Sequence, residues 1–172
     1  NKAIATEAQA KFNQNVKCRT FHSLAYNSVP RWLTNKLKNR RLMANQLASR
    51  HDLENYQVPV ALVKQRGEDD RKRLFNSKHM ATAMMNAVGY FCRSNHVEIQ
   101  LAQVYAVLPD WMDDTHRAEL ANILLPKAHD YWNDILNPAG INRLEHDHYL
   151  KYWALSNPVI NADFILFDEA QD

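Results

Sequence analysis

Apolar residues recur at helical spacing along most of the chain and change period only near its two ends. Between Ser77 and Cys92 the stripe Met80, Ala83, Met84, Ala87, Val88, Phe91 and Cys92 falls on one face, with Ser77 as the expected cap. A second stripe runs from Thr115 to Asn137 through Ala118, Ala121, Leu124, Leu125, Ala128, Trp132, Ile135 and Leu136, with Pro126 implying a kink or a break into two helices. Pro138-Ala139-Gly140 closes it. Shorter helices are expected over residues 2–12, from His22 to Tyr26, over Val97 to Val107 and over 141–156. Arg31 to Arg50 carries Trp32, Leu33, Leu37, Leu42 and Leu47 beside a basic face of Arg31, Lys36, Lys38, Arg40, Arg41 and Arg50. Val58 to Val63 reads as a short strand or an irregular apolar segment, because Pro59 disfavours a central strand.

The ends are strand-like. Val16, Cys18 and Thr20 alternate with Lys17 and Arg19 up to Phe21. Phe164 to Phe167 is apolar without alternation, as in a strand covered on both faces of a parallel sheet, and it runs into Asp168-Glu169-Ala170-Gln171-Asp172. Parallel sheets bind ligands at the carboxyl ends of their strands. Two carboxylates there suit hydrolysis of a nucleoside triphosphate: Asp168 to hold Mg²⁺, Glu169 to orient and deprotonate the attacking water, and Gln171 to sense the γ-phosphate.

Asp168-Glu169-Ala170-Gln171-Asp172 resembles the Walker B element of UvrD/Rep-type superfamily 1 DNA helicases. Asn1-Lys2-Ala3-Ile4-Ala5 resembles the end of that family's motif Ia, and Thr20-Phe21-His22-Ser23-Leu24-Ala25 its Thr-Phe-His-Ser motif. Tyr149-Leu150-Lys151-Tyr152-Trp153-Ala154-Leu155-Ser156 is similar to the F-box DNA helicase branch and its bacterial relatives. The resemblance implies an α/β P-loop NTPase (RecA-like) fragment with a mostly α-helical inserted subdomain. Residues 1–26 and 157–172 would belong to the first motor domain and residues 27–156 to the insertion. It further implies ATP and Mg²⁺ as cofactors, single-stranded DNA and duplex–single-strand junctions as partners, 3′ to 5′ translocation, and a place in DNA repair or recombination. Asn1, Lys2, Thr20 and His22 would face the DNA. Phe21, at a strand end, is expected in the core.

No Gly-x-x-x-x-Gly-Lys-Ser/Thr loop occurs, and with Gly67, Gly89 and Gly140 alone none can be hidden. The chain is therefore expected to be a segment of a larger helicase, inactive as an ATPase by itself. Scarce glycine with abundant Ala, Leu, Asn, Lys and Arg agrees with a helical fold. No apolar stretch approaches the roughly 20 residues of a membrane span, which predicts a soluble, cytoplasmic protein, or a nuclear one in a eukaryote.

Charge changes the picture by its distribution. Residues 1–50 hold ten Lys or Arg against the single acid Glu7, whereas residues 51–172 hold eleven against eighteen acids. A basic first third reads as a contact for a polyanion such as nucleic acid, with Arg40 and Arg41 as its representatives, or as a solvated helical face. Cys18 and Cys92 form neither a disulfide framework nor a zinc motif and read as small buried residues. Glu145, His146, Asp147 and His148 have a metal-like composition, but adjacent helical side chains diverge, so they read as a polar face. Outside the helicase class, the competing reading is a non-catalytic nucleic-acid-binding or partner-docking helical module in which Asp168 and Glu169 merely finish a strand.

Overall fold

The computed structural model describes residues 2–58 and 74–166 of the chain. Its helices are α1 (Lys2–Lys11), α2 (Phe21–Ser28), α3 (Arg31–Asn35), α4 (Ala44–Arg50), α5 (Ser77–Cys92), α6 (Leu101–Ala106), α7 (Asp114–Leu136) and α8 (His146–Leu155). A 3₁₀ turn, Lys36–Lys38, follows α3. The only sheet among the described residues pairs β1 (Tyr56–Gln57) with β2 (Leu74–Phe75) antiparallel, Tyr56 opposite Phe75. No helix among the described residues is long and apolar enough to cross a membrane.

Helix α5 is the hub. Its apolar stripe packs against α4, α6, α7 and α8, and Met84, Ala87, Val88 and Phe91 are wholly buried. The cap is Asn76, whose side chain accepts from the His79 backbone N–H at 3.0 Å, one residue before the Ser77 read from sequence. Helix α7 supplies the opposing stripe, with Leu120, Leu124 and Ile135 fully buried and Trp132 edge-on to Phe91 at 5.4 Å. Pro126 neither breaks nor ends it. Pro126 and Asn122 are both outside the core, so the Asn122 carbonyl that loses its helical partner lies on the solvent side.

Three helix C-termini are held by cations from elsewhere in the chain. Lys36, 4% exposed, donates from Nζ to the carbonyls of Asp134, Ile135 and Asn137 at 2.8, 2.8 and 2.9 Å, closing the end of α7. Lys151 on α8 donates to the carbonyls of Ser94 and His96 just past α5, at 2.8 and 2.6 Å, and sits 4.3 Å over the Phe91 ring. Arg117 reaches the carbonyls of Tyr105 and Leu108 at the end of α6. The last carbonyls of a helix lack internal partners and carry partial negative charge, so a buried ammonium satisfies both needs at once. Gly140 permits the arrangement at α7: a Cβ there would lie 1.8 Å from the Asp134 carbonyl oxygen.

Several expectations are corrected. Val16–Thr20 is extended but pairs with no strand among the described residues, and Phe21 opens a helix instead of ending a strand. The extended turn is held by Gln9, whose amide donates to the Val16 carbonyl and accepts from the Cys18 N–H, both at 2.9 Å. Arg31 to Arg50 is three short pieces, since Lys36 must turn inward to reach α7. The helices expected over Val97–Val107 and 141–156 contract to Leu101–Ala106 and His146–Leu155. Beside Pro59 the strand is Tyr56–Gln57, while residues 59–73 lie outside the described residues.

The strand expected at Phe164–Phe167 is absent where it is described. Residues 164–166 are irregular, with Phe164 and Leu166 73% and 83% exposed, and Phe167 lies outside the described residues. A strand needs a ladder partner, and neither this segment nor Val16–Thr20 has one among these residues. The α/β class thus rests on the sequence.

Candidate nucleic-acid interface

Helix α2 starts at Thr20, whose Oγ1 accepts from the Ser23 N–H at 3.1 Å. The hydroxyl assigned to a phosphate or sugar contact is thus also a helix cap, and its proton remains free to donate to a phosphate oxygen. The next two residues fall on the first turn of α2, which packs on α8. Phe21 is 48% exposed, not core, with its ring 6.5 Å from Trp153. His22 lies 3.9 Å from the Asp147 carboxylate and edge-on to His146 and Tyr149 at 6.3 and 6.0 Å. One turn later Tyr26 meets Tyr149 edge-on at 5.8 Å. Phe21, His22 and Tyr26 of α2 and His146 of α8 are thus half-exposed or exposed rings, the kind of side chain on which bases stack, seated on Tyr149 and Trp153, which are buried.

The first turn of α8 carries the charges that tie this surface together. Asp147 accepts from Arg93 Nη1 at 3.1 Å. Glu145, just before the helix, is 3.8 Å from Arg41 Nε and 4.0 Å from Arg143 Nε. His22 and Arg41, far apart in sequence, are therefore brought to one helix end through neighbouring carboxylates. His148 belongs elsewhere: it is buried against Trp132, its Nδ1 accepts from the Glu145 N–H at 3.0 Å, and burial pushes its pKa down to about 4. The four residues Glu145 to His148 thus split between surface and core, and among the described residues no group of three or more His, Cys, Asp or Glu is placed to hold a metal ion.

The basic first third divides in the same way. Lys36 is an internal cap, its pKa lowered by burial, and Arg50 pairs with Asp134 at 2.8 Å. Asp134 also accepts from the Asn142 N–H, and these bonds outweigh burial to hold its pKa below the usual carboxylate value. Arg40 and Arg41 are exposed, and Arg41 alone of the two has an ion-pair partner among the described residues. A track of six cations is thus reduced to those that face outward. Asn1, Asp168, Glu169 and Gln171 lie outside the described residues, as does the side chain of Lys2. Sequence reading missed Tyr26, which only the packing of α2 on α8 brings into place, and Arg93, Asn142 and Arg143, which the end of α5 and the segment between α7 and α8 bring there; the i, i+3 pair His146–Tyr149 was the one local signal.

No family model matches the chain, and no solved structure matches it. It is similar to F-box DNA helicase 1 of Gallus gallus, 28% identical over 183 residues, an alignment that covers 100% of this chain and 16% of that protein. The chain spans about a sixth of the length of the curated relative it matches. Similarity along the whole chain supports a helicase-related relationship.

Proposed function

We propose that the chain is part of the first motor domain of an ATP-dependent DNA helicase of the UvrD/Rep type that moves 3′ to 5′ on single-stranded DNA. Residues 27–156 form its helical insertion, and residues 1–26 and 157–172 belong to an α/β P-loop core. The observation that carries this reading is the similarity to a DNA helicase over the entire chain. The order of the end motifs supports it, with Thr20-Phe21-His22-Ser23 first and Asp168-Glu169-Ala170-Gln171-Asp172 last. Hard carboxylate oxygens suit Mg²⁺, which when bound would neutralise charge on the phosphate oxygens. In this reading Asp168 holds the ion, Glu169 orients the attacking water and accepts its proton, and Gln171 reads the γ-phosphate. Duplex–single-strand junctions would be the substrate, and repair or recombination in the cytoplasm or nucleus the setting.

The insertion's part is to hold single-stranded DNA through its outward basic residues, beside the rings of Phe21, His22 and Tyr26 that the motor core places against α8. Binding of a thymidine oligomer to the chain should weaken as salt rises, because phosphate contacts release counterions. Reversing Arg40 and Arg41 together should weaken binding to all sequences and lower the salt slope by roughly two, about one for each phosphate left unneutralised. An unchanged affinity and slope would assign both arginines to a solvated surface.

A further inference from the structure

Between α4, α7 and the segment leading into α8 lies a small cavity of about 10 Å³, room for one water-sized group. Its apolar lining is Leu42, Leu47, Met85 and Tyr131, and its polar lining is the buried Asn142 with Arg41, Arg143 and Glu145, which are more exposed. Asn142 is 1% exposed, yet among the described residues neither its Nδ2 nor its Oδ1 has a hydrogen-bond partner. A buried amide left open at both ends is costly, and few such groups persist in folded proteins unless something pairs with them. In the polar lining, one oxygen of Glu145 stands between Arg41 Nε and Arg143 Nε at 3.8 and 4.0 Å, beyond hydrogen-bond reach of either. Two guanidiniums share one carboxylate here without being satisfied by it, and a net positive charge remains.

We propose that this pocket is a phosphate site for the nucleic-acid backbone. One non-bridging oxygen enters the cavity and accepts from Asn142 Nδ2, while Arg41 and Arg143 donate to the phosphate's outer oxygens in place of the loose contact with Glu145. A guanidinium released from Glu145 turns an N–H onto Asn142 Oδ1. The cavity admits an oxygen but not a base, so recognition is of the backbone and independent of sequence. Glu145 acts as an internal competitor that keeps the site from holding weaker anions. The inference rests on the nucleic-acid reading above and assigns it a location.

The test is to titrate a labelled thymidine oligomer, and separately inorganic phosphate, into the full 172-residue chain and into Asn142→Leu, Arg143→Gln and Glu145→Gln. Oligomer affinity should fall roughly tenfold in Asn142→Leu and in Arg143→Gln, the size of one charge-assisted hydrogen bond, and should rise in Glu145→Gln. The side-chain amide resonances of Asn142 should move on adding oligomer. Asn142→Leu removes two unmet polar atoms and is expected to fold; a melting curve checks it, and the surface variant Glu145→Gln carries the test independently. Normal oligomer binding by all three variants would mean that a structural water alone fills the cavity, overturning the proposal while leaving the nucleic-acid reading intact. A response to inorganic phosphate with no oligomer binding would make this a free-phosphate site and would overturn both.

Discussion

Replacing Lys36 by Met keeps the length and apolar stem of the side chain but removes the ammonium that closes α7. Three carbonyl oxygens then lose a donor at 2.8–2.9 Å, the Ile135 oxygen fully buried and those of Asp134 and Asn137 partly so. An orphaned buried acceptor costs about 1–3 kcal/mol, and the two partly buried ones recover some of this from water. The sum is about 3–4 kcal/mol, a large part of the roughly 5–15 kcal/mol that holds a domain together. At about 2–4 °C per kcal/mol for a chain of this size, the melting temperature should fall by roughly 10 °C. The assay is thermal unfolding followed by near-ultraviolet circular dichroism, with Lys38→Met as the control because Lys38 ends the same 3₁₀ turn but is exposed. Lys38→Met should stay within about 0.5 kcal/mol of the parent. If the two variants melt together, the Lys36 cap contributes nothing and the packing of the 3₁₀ turn on α7 has another cause.

Stability should also fall with acid through His148. Its folded pKa, lowered to about 4 by burial, lies below the unfolded value of about 6.5, so the unfolded chain binds the extra proton first and stability is lost as pH drops between these values. At pH 5 the loss from this group is about 2 kcal/mol relative to pH 7; urea unfolding at both pH values should show a correspondingly smaller change in His148→Leu, and an equal change would mean that the imidazole is not buried neutral. The chain alone should show no DNA-stimulated ATP hydrolysis, for want of a phosphate loop to cradle the β- and γ-phosphates; measurable turnover by the pure protein would refute the segment reading.

What the sequence made legible was local. The stripes of α5 and α7 were readable because each buries seven or more residues at a regular period, and periodicity survives any choice of partner. The caps were not readable, because Lys36 lies 98 to 101 residues from the carbonyls it holds and Lys151 lies 55 and 57 from its own. A lysine in a basic run has no local mark that separates an internal ammonium from a surface one. That is why the charge count overstated the outward track, and why Arg50 and Lys36 had to be removed from it. Phe21 was misassigned for a related reason: the extended segment before it finds no sheet here, so the aromatic is carried onto a helix that leaves it half exposed. The gathering of His22, Tyr26, His146 and Tyr149 depends on how α2 meets α8, which no pattern along either helix specifies.

The central claim concerns Asp168 and Glu169 at the end of an apolar run, and it is tested in a full-length helicase carrying this chain, with saturating single-stranded DNA. Mg·ATP affinity and steady-state hydrolysis are measured for Glu169→Gln and Asp168→Asn. Glu169→Gln should bind Mg·ATP nearly as the parent does while hydrolysis falls roughly 10²–10⁴-fold, the loss of a group that orients water and takes its proton. Asp168→Asn should instead weaken the metal-dependent part of nucleotide binding. Near-normal turnover in Glu169→Gln would contradict the assignment of these carboxylates to ATP hydrolysis, and with it the reading of the chain as part of a helicase motor.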